Sequence, residues 1–246
     1  MTDLAGKRAL VTGGSRGIGA AIALELADKG ADVAITFEQS ADRAAQIVKA
    51  IKAKGRKAFA IQADSADPAA IKRSVDEAAG VLGGLDILVN NAGIALYGTI
   101  AEFKVTDIDA LLAVNVRAPV LASQAAIPHL KAGGRVITIG SAGAERIVGT
   151  TGTVYFMTKS ALQSFTRGLA HELGPRDITA NLVQPGSTDT DMNPANGESS
   201  DFQRSLSPLG RYAAPEDIAA TVAFLASPAA RHLTGTIVTV DGGQTA

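Results

Sequence analysis

Thr12-Gly-Gly-Ser-Arg-Gly-Ile-Gly19 follows the β-branched run Arg8-Ala-Leu-Val-Thr12 and precedes a helical pattern through Ile22, Leu24 and Leu26 that stops at Gly30. The order is strand, glycine-rich turn, helix. Glycines there let the backbone approach a pyrophosphate, and the helix N-terminus offers N–H groups and the positive end of its dipole. The commoner GxGxxG/A frame fails, because Ile22 holds its third small-residue position, and no Gly-Lys-Ser/Thr triplet marks a P-loop. A dinucleotide is thus favoured over a kinase-type mononucleotide; the competing reading is a βα turn with no ligand.

Outward from this turn the same rhythm continues. Strands are expected at Asp32 to Phe37, Ala58 to Ala63, Leu85 to Asn90, Arg135 to Gly140, Ile178 to Val183 and Thr236 to Val240. Helices are expected at Ala41 to Lys54, Pro68 to Leu82, Asp107 to Leu130, Thr153 to Leu173 and Pro215 to Leu225. Such alternation predicts right-handed crossovers and an α/β fold: one doubly wound Rossmann-type domain over residues 1–246, a seven-stranded parallel sheet with helices on both faces. The long stretch rich in Ser, Asp, Asn, Gly and Pro at 187–211 reads as a substrate lid.

Composition narrows the chemistry. With 23 basic against 24 acidic residues, the chain lacks the electrostatic footprint of a nucleic-acid binder, so none is expected as a partner. Zero cysteines exclude disulfides and thiolate chemistry, and His129, His171 and His232 show no metal-ligand spacing, so no metal is expected. No run reaches the ~18 apolar residues of a membrane span, and no leader-like segment opens the chain, which reads as cytoplasmic.

Tyr155 and Lys159 stand four apart in a helical pattern, on one face and within reach of each other. A nearby ammonium favours phenolate, so Lys159 is expected to tune Tyr155 towards acid/base work. Bare of context, the same spacing describes a solvated pair. Ser141 ends the strand Arg135 to Gly140, and the carboxyl ends of parallel strands face the ligand crevice. Its surroundings, Ile139-Gly-Ser-Ala-Gly143, are no nucleophile elbow, which disfavours a hydrolase; a helix-cap serine is the plain alternative.

The chain resembles the short-chain dehydrogenase/reductases. The resemblance runs over nearly all of it, through Thr12 to Gly19, Asn90-Asn-Ala-Gly93, Asn115, Ser141, Tyr155-x3-Lys159, Pro185-Gly186 and Val240-Asp-Gly-Gly243, in that order. It implies a general acid/base at Tyr155, a hydrogen bond from Ser141 to the substrate oxygen, a nicotinamide-ribose contact from Lys159 and a relay water held by Asn115. Implied cofactor contacts are Gly13, Ser15, Arg16, Gly17, Ile18 and Gly19 in the first turn, Phe37 at the end of the second strand, and Asp64 and Ser65 at the adenine. Asn91, Ala92 and Gly93 pass along the adenosine ribose, Tyr155 and Lys159 meet the nicotinamide ribose, and Pro185, Gly186, Thr188 and Thr190 lie at the carboxamide. Phe37 stands where an NAD-reading acid would end the second strand, and Arg16 matches a basic position of NADP-dependent relatives. NADP(H) is therefore favoured, with NAD(H) as the alternative on account of Glu38. Closest in pattern are the 3-oxoacyl-carrier-protein reductases and neighbouring carbonyl reductases. The expected activity is NADPH-dependent reduction of a ketone, either a 3-oxoacyl thioester or another carbonyl compound, to a secondary alcohol. Alternatives are an NAD-dependent alcohol dehydrogenase and a non-catalytic nucleotide sensor. An acyl carrier protein would need a basic patch beside the cleft, for which Lys131, Arg167 and Arg176 are candidates. The helices Asp107 to Leu130 and Thr153 to Leu173 carry apolar residues on more than one face, and the resemblance implies that they join four subunits in a homotetramer.

Overall fold

Strict alternation along the strands sends their side chains to two cores. Ala9, Val11, Val33, Ile35, Ile87, Val89, Ile137 and Ile139 face one side of the sheet, and Leu10, Ala34, Leu88 and Val136 face the other. The computed structural model, which describes residues 3–246, pairs all seven strands in parallel, as expected. They are β1 (Arg8–Val11), β2 (Asp32–Phe37), β3 (Ala58–Gln62), β4 (Ile87–Asn90), β5 (Arg135–Ile139), β6 (Thr179–Pro185) and β7 (Ile237–Val240). Their order, β3-β2-β1-β4-β5-β6-β7, reverses between β1 and β4. Loops leaving the carboxyl ends of these two strands diverge there and open a crevice.

The first core is closed by α1 (Gly17–Asp28), α2 (Ala41–Ala53) and α8 (Pro215–Ala226). The second lies under α3 (Pro68–Leu82), α5 (Ala118–Ala126) and α6 (Thr153–Leu173). Asp67 starts α3 by accepting from the Ala69 N–H at 2.8 Å, and Pro68 follows at the position where a missing N–H costs nothing.

Two expectations are corrected. The helix expected at Asp107 to Leu130 begins at Val105 as α4 (Val105–Leu112), widens into a π-helical turn at Ala113–Arg117 and continues as α5, ending at Ala126. Pro119 has no N–H to give the carbonyl of Asn115 four residues earlier, so the tighter α ladder is broken at that point. The stretch 187–211, expected to be irregular, contains α7 (Ser200–Leu206). Gln203 and Asn193 exchange amide hydrogen bonds at 2.8 and 2.9 Å, and the Ser187 hydroxyl donates to Gln203 at 2.8 Å. These polar links replace the apolar core that so short a segment lacks.

Arg8 ties the two central strands together beneath the crevice. Its guanidinium meets both carboxylate oxygens of Asp86 at 2.7 and 3.1 Å and donates to the Gly83 carbonyl at 2.6 Å. Replacing it by methionine leaves the Asp86 carboxylate, 16 % exposed, without its cation. Arg8→Met is expected to lower stability by about 1–3 kcal/mol in urea denaturation, between the values of exposed and buried pairs.

Candidate active site

The floor of the crevice is the glycine turn, held by its neighbours rather than by itself. The Gly13 N–H donates to the Thr36 hydroxyl at 3.0 Å and the Gly14 N–H to the Thr36 carbonyl at 2.9 Å. From the facing strand the Asn91 carboxamide donates to the carbonyls of Thr12 and Gly13 at 2.9 and 3.1 Å. A β-carbon on Gly19 would fall 2.4 Å from that Asn91 nitrogen, which is why the position must be glycine. Gly17 has φ of +53°, the left-handed conformation that turns the chain into α1. No side chain caps the N-terminus of α1 and its first turn holds no acid. Its free N–H groups fit the diphosphate of a dinucleotide.

Ser15, Arg16, Ile18, Phe37, Asp64, Ser65, Ala92, Gly93, Pro185, Gly186, Thr188 and Thr190 line the same crevice, as do Asn91 and the glycines. It holds about 820 Å³, the scale of a ligand site. Several of these residues also have structural work that sequence reasoning did not assign. The Asn91 side chain braces the turn, and the Asp64 carboxylate accepts from the Ala66 N–H at 2.7 Å, while Asp67 caps α3. Buried Thr188 donates to the Gly186 carbonyl at 3.1 Å, and Thr190 packs towards Gly17.

At the other end stand Ser141, Tyr155 and Lys159. Ser141 follows β5 and accepts from the Gly143 N–H at 3.2 Å, so it caps a short turn and lines the crevice at once. Tyr155 lies in the first turn of α6, whose start is set by the Phe156 ring between two glycines. A β-carbon on Gly143 or Gly152 would sit 2.0 or 2.3 Å from that ring. Tyr97 stands over Tyr155 with ring centroids 5.7 Å apart.

Lys159 is buried, its Nζ 5.9 Å from the Tyr155 ring centroid and donating to the Ile139 carbonyl at 3.2 Å. Burial lowers its pKa from 10.5 to about 8. Burial also pushes the Tyr155 phenol up, with Tyr97 adding to the rise and the Ser141 hydroxyl pulling it back. Removal from water dominates, and Tyr155 is protonated at neutral pH.

Asn115 lies in the π-helical turn and is 1 % exposed. Its carboxamide accepts from the Ile94 N–H at 3.0 Å and donates to the Ile94 carbonyl at 2.9 Å and the Thr158 hydroxyl at 3.1 Å. The side chain is therefore a brace between the loop after β4 and α6, and Pro119 has no N–H to offer the Asn115 main-chain carbonyl. Thr158 and Tyr97 went unmarked in the sequence, but the four-residue spacing from Asn115 to Pro119 was a readable signal.

Of the three basic-patch candidates, Arg167 lies on α6 and the other two lie away from the crevice. Lys131 and Arg176 precede β5 and β6 and so lie at the amino ends of the strands, opposite this chain's own crevice. Arg176 donates to the carbonyls of Ile127 and Leu130 at 3.0 and 2.8 Å, closing the end of α5.

A family model described as enoyl-(acyl carrier protein) reductase matches residues 13–245. A short-chain dehydrogenase of Burkholderia cenocepacia J2315, solved with NADP, is 56 % identical and superposes with a TM-score of 0.98, covering 99 % of this chain and 100 % of the other. The cyclic-di-GMP-binding biofilm dispersal mediator protein of Escherichia coli strain K12 is 43 % identical over 98 % of both chains. A versicolorin reductase of Emericella nidulans is 40 % identical over 98 % of this chain and 96 % of its own. With the fold, the braced glycine turn and the Ser141, Tyr155 and Lys159 cluster in place, this chain belongs to the short-chain dehydrogenase/reductases, a family of NAD(P)-dependent oxidoreductases.

Proposed function

We propose that this protein uses NADPH to reduce a ketone to a secondary alcohol. The observation that carries the reading is the convergence of Tyr155, Ser141 and Lys159 on one end of a crevice whose other end is the glycine turn. NADPH rather than NADH is supported by Phe37 in place of an acid at the end of β2, by Arg16 in the turn, and by the NADP found in the Burkholderia relative. When bound, the reduced nicotinamide supplies the hydride.

The chain's own residues supply the proton and the orientation. Tyr155, held protonated by burial, donates its phenolic proton to the carbonyl oxygen as that oxygen gains charge. The Ser141 hydroxyl donates a second hydrogen bond to the same oxygen. Lys159 keeps a cation near the phenolate that remains, and the Asn115 carbonyl is suited to hold a water that restores the proton. Residues 187–211 form the lid, excluding solvent from this end.

Leu96, Tyr97, Val148, Phe156 and Met192 line the substrate side. That wall favours a ketone with a bulky apolar or aromatic body over a thioester on an acyl carrier protein. Exposed Val105, Leu112, Val120 and Met157 on α4, α5 and α6 support a homotetramer. Among the described residues no helix is long and apolar enough to cross a membrane, and we place the protein in the cytoplasm.

Tyr155→Phe is expected to lower NADPH-dependent ketone reduction, followed at the reduced-nicotinamide absorbance, by at least ~10²-fold while NADPH titration remains unchanged. NADPH binding without turnover in the parent protein, on ketones or alcohols alike, would turn the reading to a nucleotide sensor.

The buried lysine makes a second prediction. The unfolded chain binds a proton at Lys159 up to pH 10.5 and the folded one only up to about 8, so stability rises with pH between those values. The slope is at most about 1.4 kcal/mol per pH unit. In urea melts of the cofactor-free protein near either end of that window, Lys159→Met is expected to lose this rise.

A further inference from the structure

Three segments meet at the nucleotide end of the crevice. Arg16 comes from the glycine turn, Arg43 from the first turn of α2, and Asp191 from the lid segment. The Arg43 guanidinium donates to Asp191 Oδ2, and Arg16 Nη1 lies 3.5 Å from that same oxygen. Arg43 first, then Arg16, holds the Asp191 carboxyl below the usual carboxylate range. All three side chains are more than half exposed, so the contact is an exchangeable surface ion pair.

The chemistry around this oxygen favours a different anion. Two planar guanidinium forks, with five N–H donors each, converge on one carboxylate oxygen; a phosphate monoester offers three acceptor oxygens and close to two charges. Ser40, just before α2, makes no capping bond from its side chain. Two nearby carboxylates oppose a phosphate: Asp42 in the first turn of α2, and Glu38, whose Oε1 accepts from Gln39 at 3.1 Å on the exposed rim.

We propose that Arg43 is a second reader of the cofactor 2'-phosphate beside Arg16, and that the lid carboxylate of Asp191 competes with that phosphate for both guanidiniums. The inference rests on the NADPH reading above. It makes cofactor choice and lid position one equilibrium: a 2'-phosphate displaces Asp191, whereas a ribose with a free 2'-hydroxyl leaves it in place.

Calorimetric titration of the full-length protein with 2',5'-ADP and with 5'-AMP tests this without turnover. The parent is expected to prefer 2',5'-ADP. Arg43→Ala should weaken 2',5'-ADP roughly 10-fold, the loss of one charge-assisted contact, and leave 5'-AMP unchanged. Asp191→Asn should tighten 2',5'-ADP severalfold with 5'-AMP again unchanged, and Arg43→Lys should recover part of the loss. Equal affinity of the parent for the two ligands overturns the NADPH reading itself. A preference for 2',5'-ADP that survives Arg43→Ala, or an equal loss for both ligands, overturns the role of Arg43 while leaving that reading intact. An unchanged affinity in Asp191→Asn overturns the competition.

Discussion

The crevice depends on a crossed set of hydrogen bonds between Thr12 and Asn91 at the point where strand order reverses. The Thr12 hydroxyl accepts from the N–H groups of Asn91 and Ala92, both at 3.0 Å, while the Asn91 carboxamide returns two bonds to the carbonyls of Thr12 and Gly13. Strands β1 and β4 would otherwise send their loops apart with unsatisfied main-chain groups at the bottom of a ligand site. The exchange closes that account and fixes the glycine turn relative to the loop that leads to Ile94 and Asn115. It also explains why the two sequence motifs occur together: Gly19 must lack a side chain for the Asn91 amide to occupy that space.

From this junction the catalytic end is positioned in steps. Asn115 clamps Ile94 on the loop after β4 and Thr158 on α6, and Thr158 in turn donates to the Tyr155 carbonyl at 2.6 Å. A chain of short bonds thus links strand β4 to the turn that carries the candidate acid. Lys159 reaches back to Ile139 on β5, whose end carries Ser141. Lys159 is set by a main-chain carbonyl of β5 and Ser141 by the Gly143 N–H, while Tyr155 is placed through Thr158 and Asn115, so their mutual geometry depends on how α6 packs on β5 and the loop after β4.

Periodicity made the sheet legible. Alternating Val, Ile, Leu and Ala placed the strands, and the glycine turn at the end of the first strand announced the crevice. What escaped were features that depend on tertiary partners or on a single missing atom. The π-helical turn follows from one absent N–H at Pro119, which an apolar pattern over Asp107 to Leu130 does not register. Arg176, a basic-patch candidate by sequence, closes α5, because a helix end leaves carbonyls that only the folded chain brings within its reach. The short helix α7 is held by amide exchange between Gln203 and Asn193, polar residues whose composition suggested only a loop.

The two ends of the crevice are built on opposite electrostatic terms. Lys159 is buried and, among the described residues, no carboxylate pairs with its ammonium, so its charge is costly; the phenol beside it is neutral because it too is removed from water. In the proposed reaction the phenolate left by proton donation would pair with that ammonium. Around Arg16 and Arg43 the charges are solvated and paired with an acid on a different segment, so each contact is weak and replaceable. A rigid, dry end suits chemistry that needs fixed atoms, and a wet, exchangeable end suits recognition of a group that must arrive and leave in every cycle.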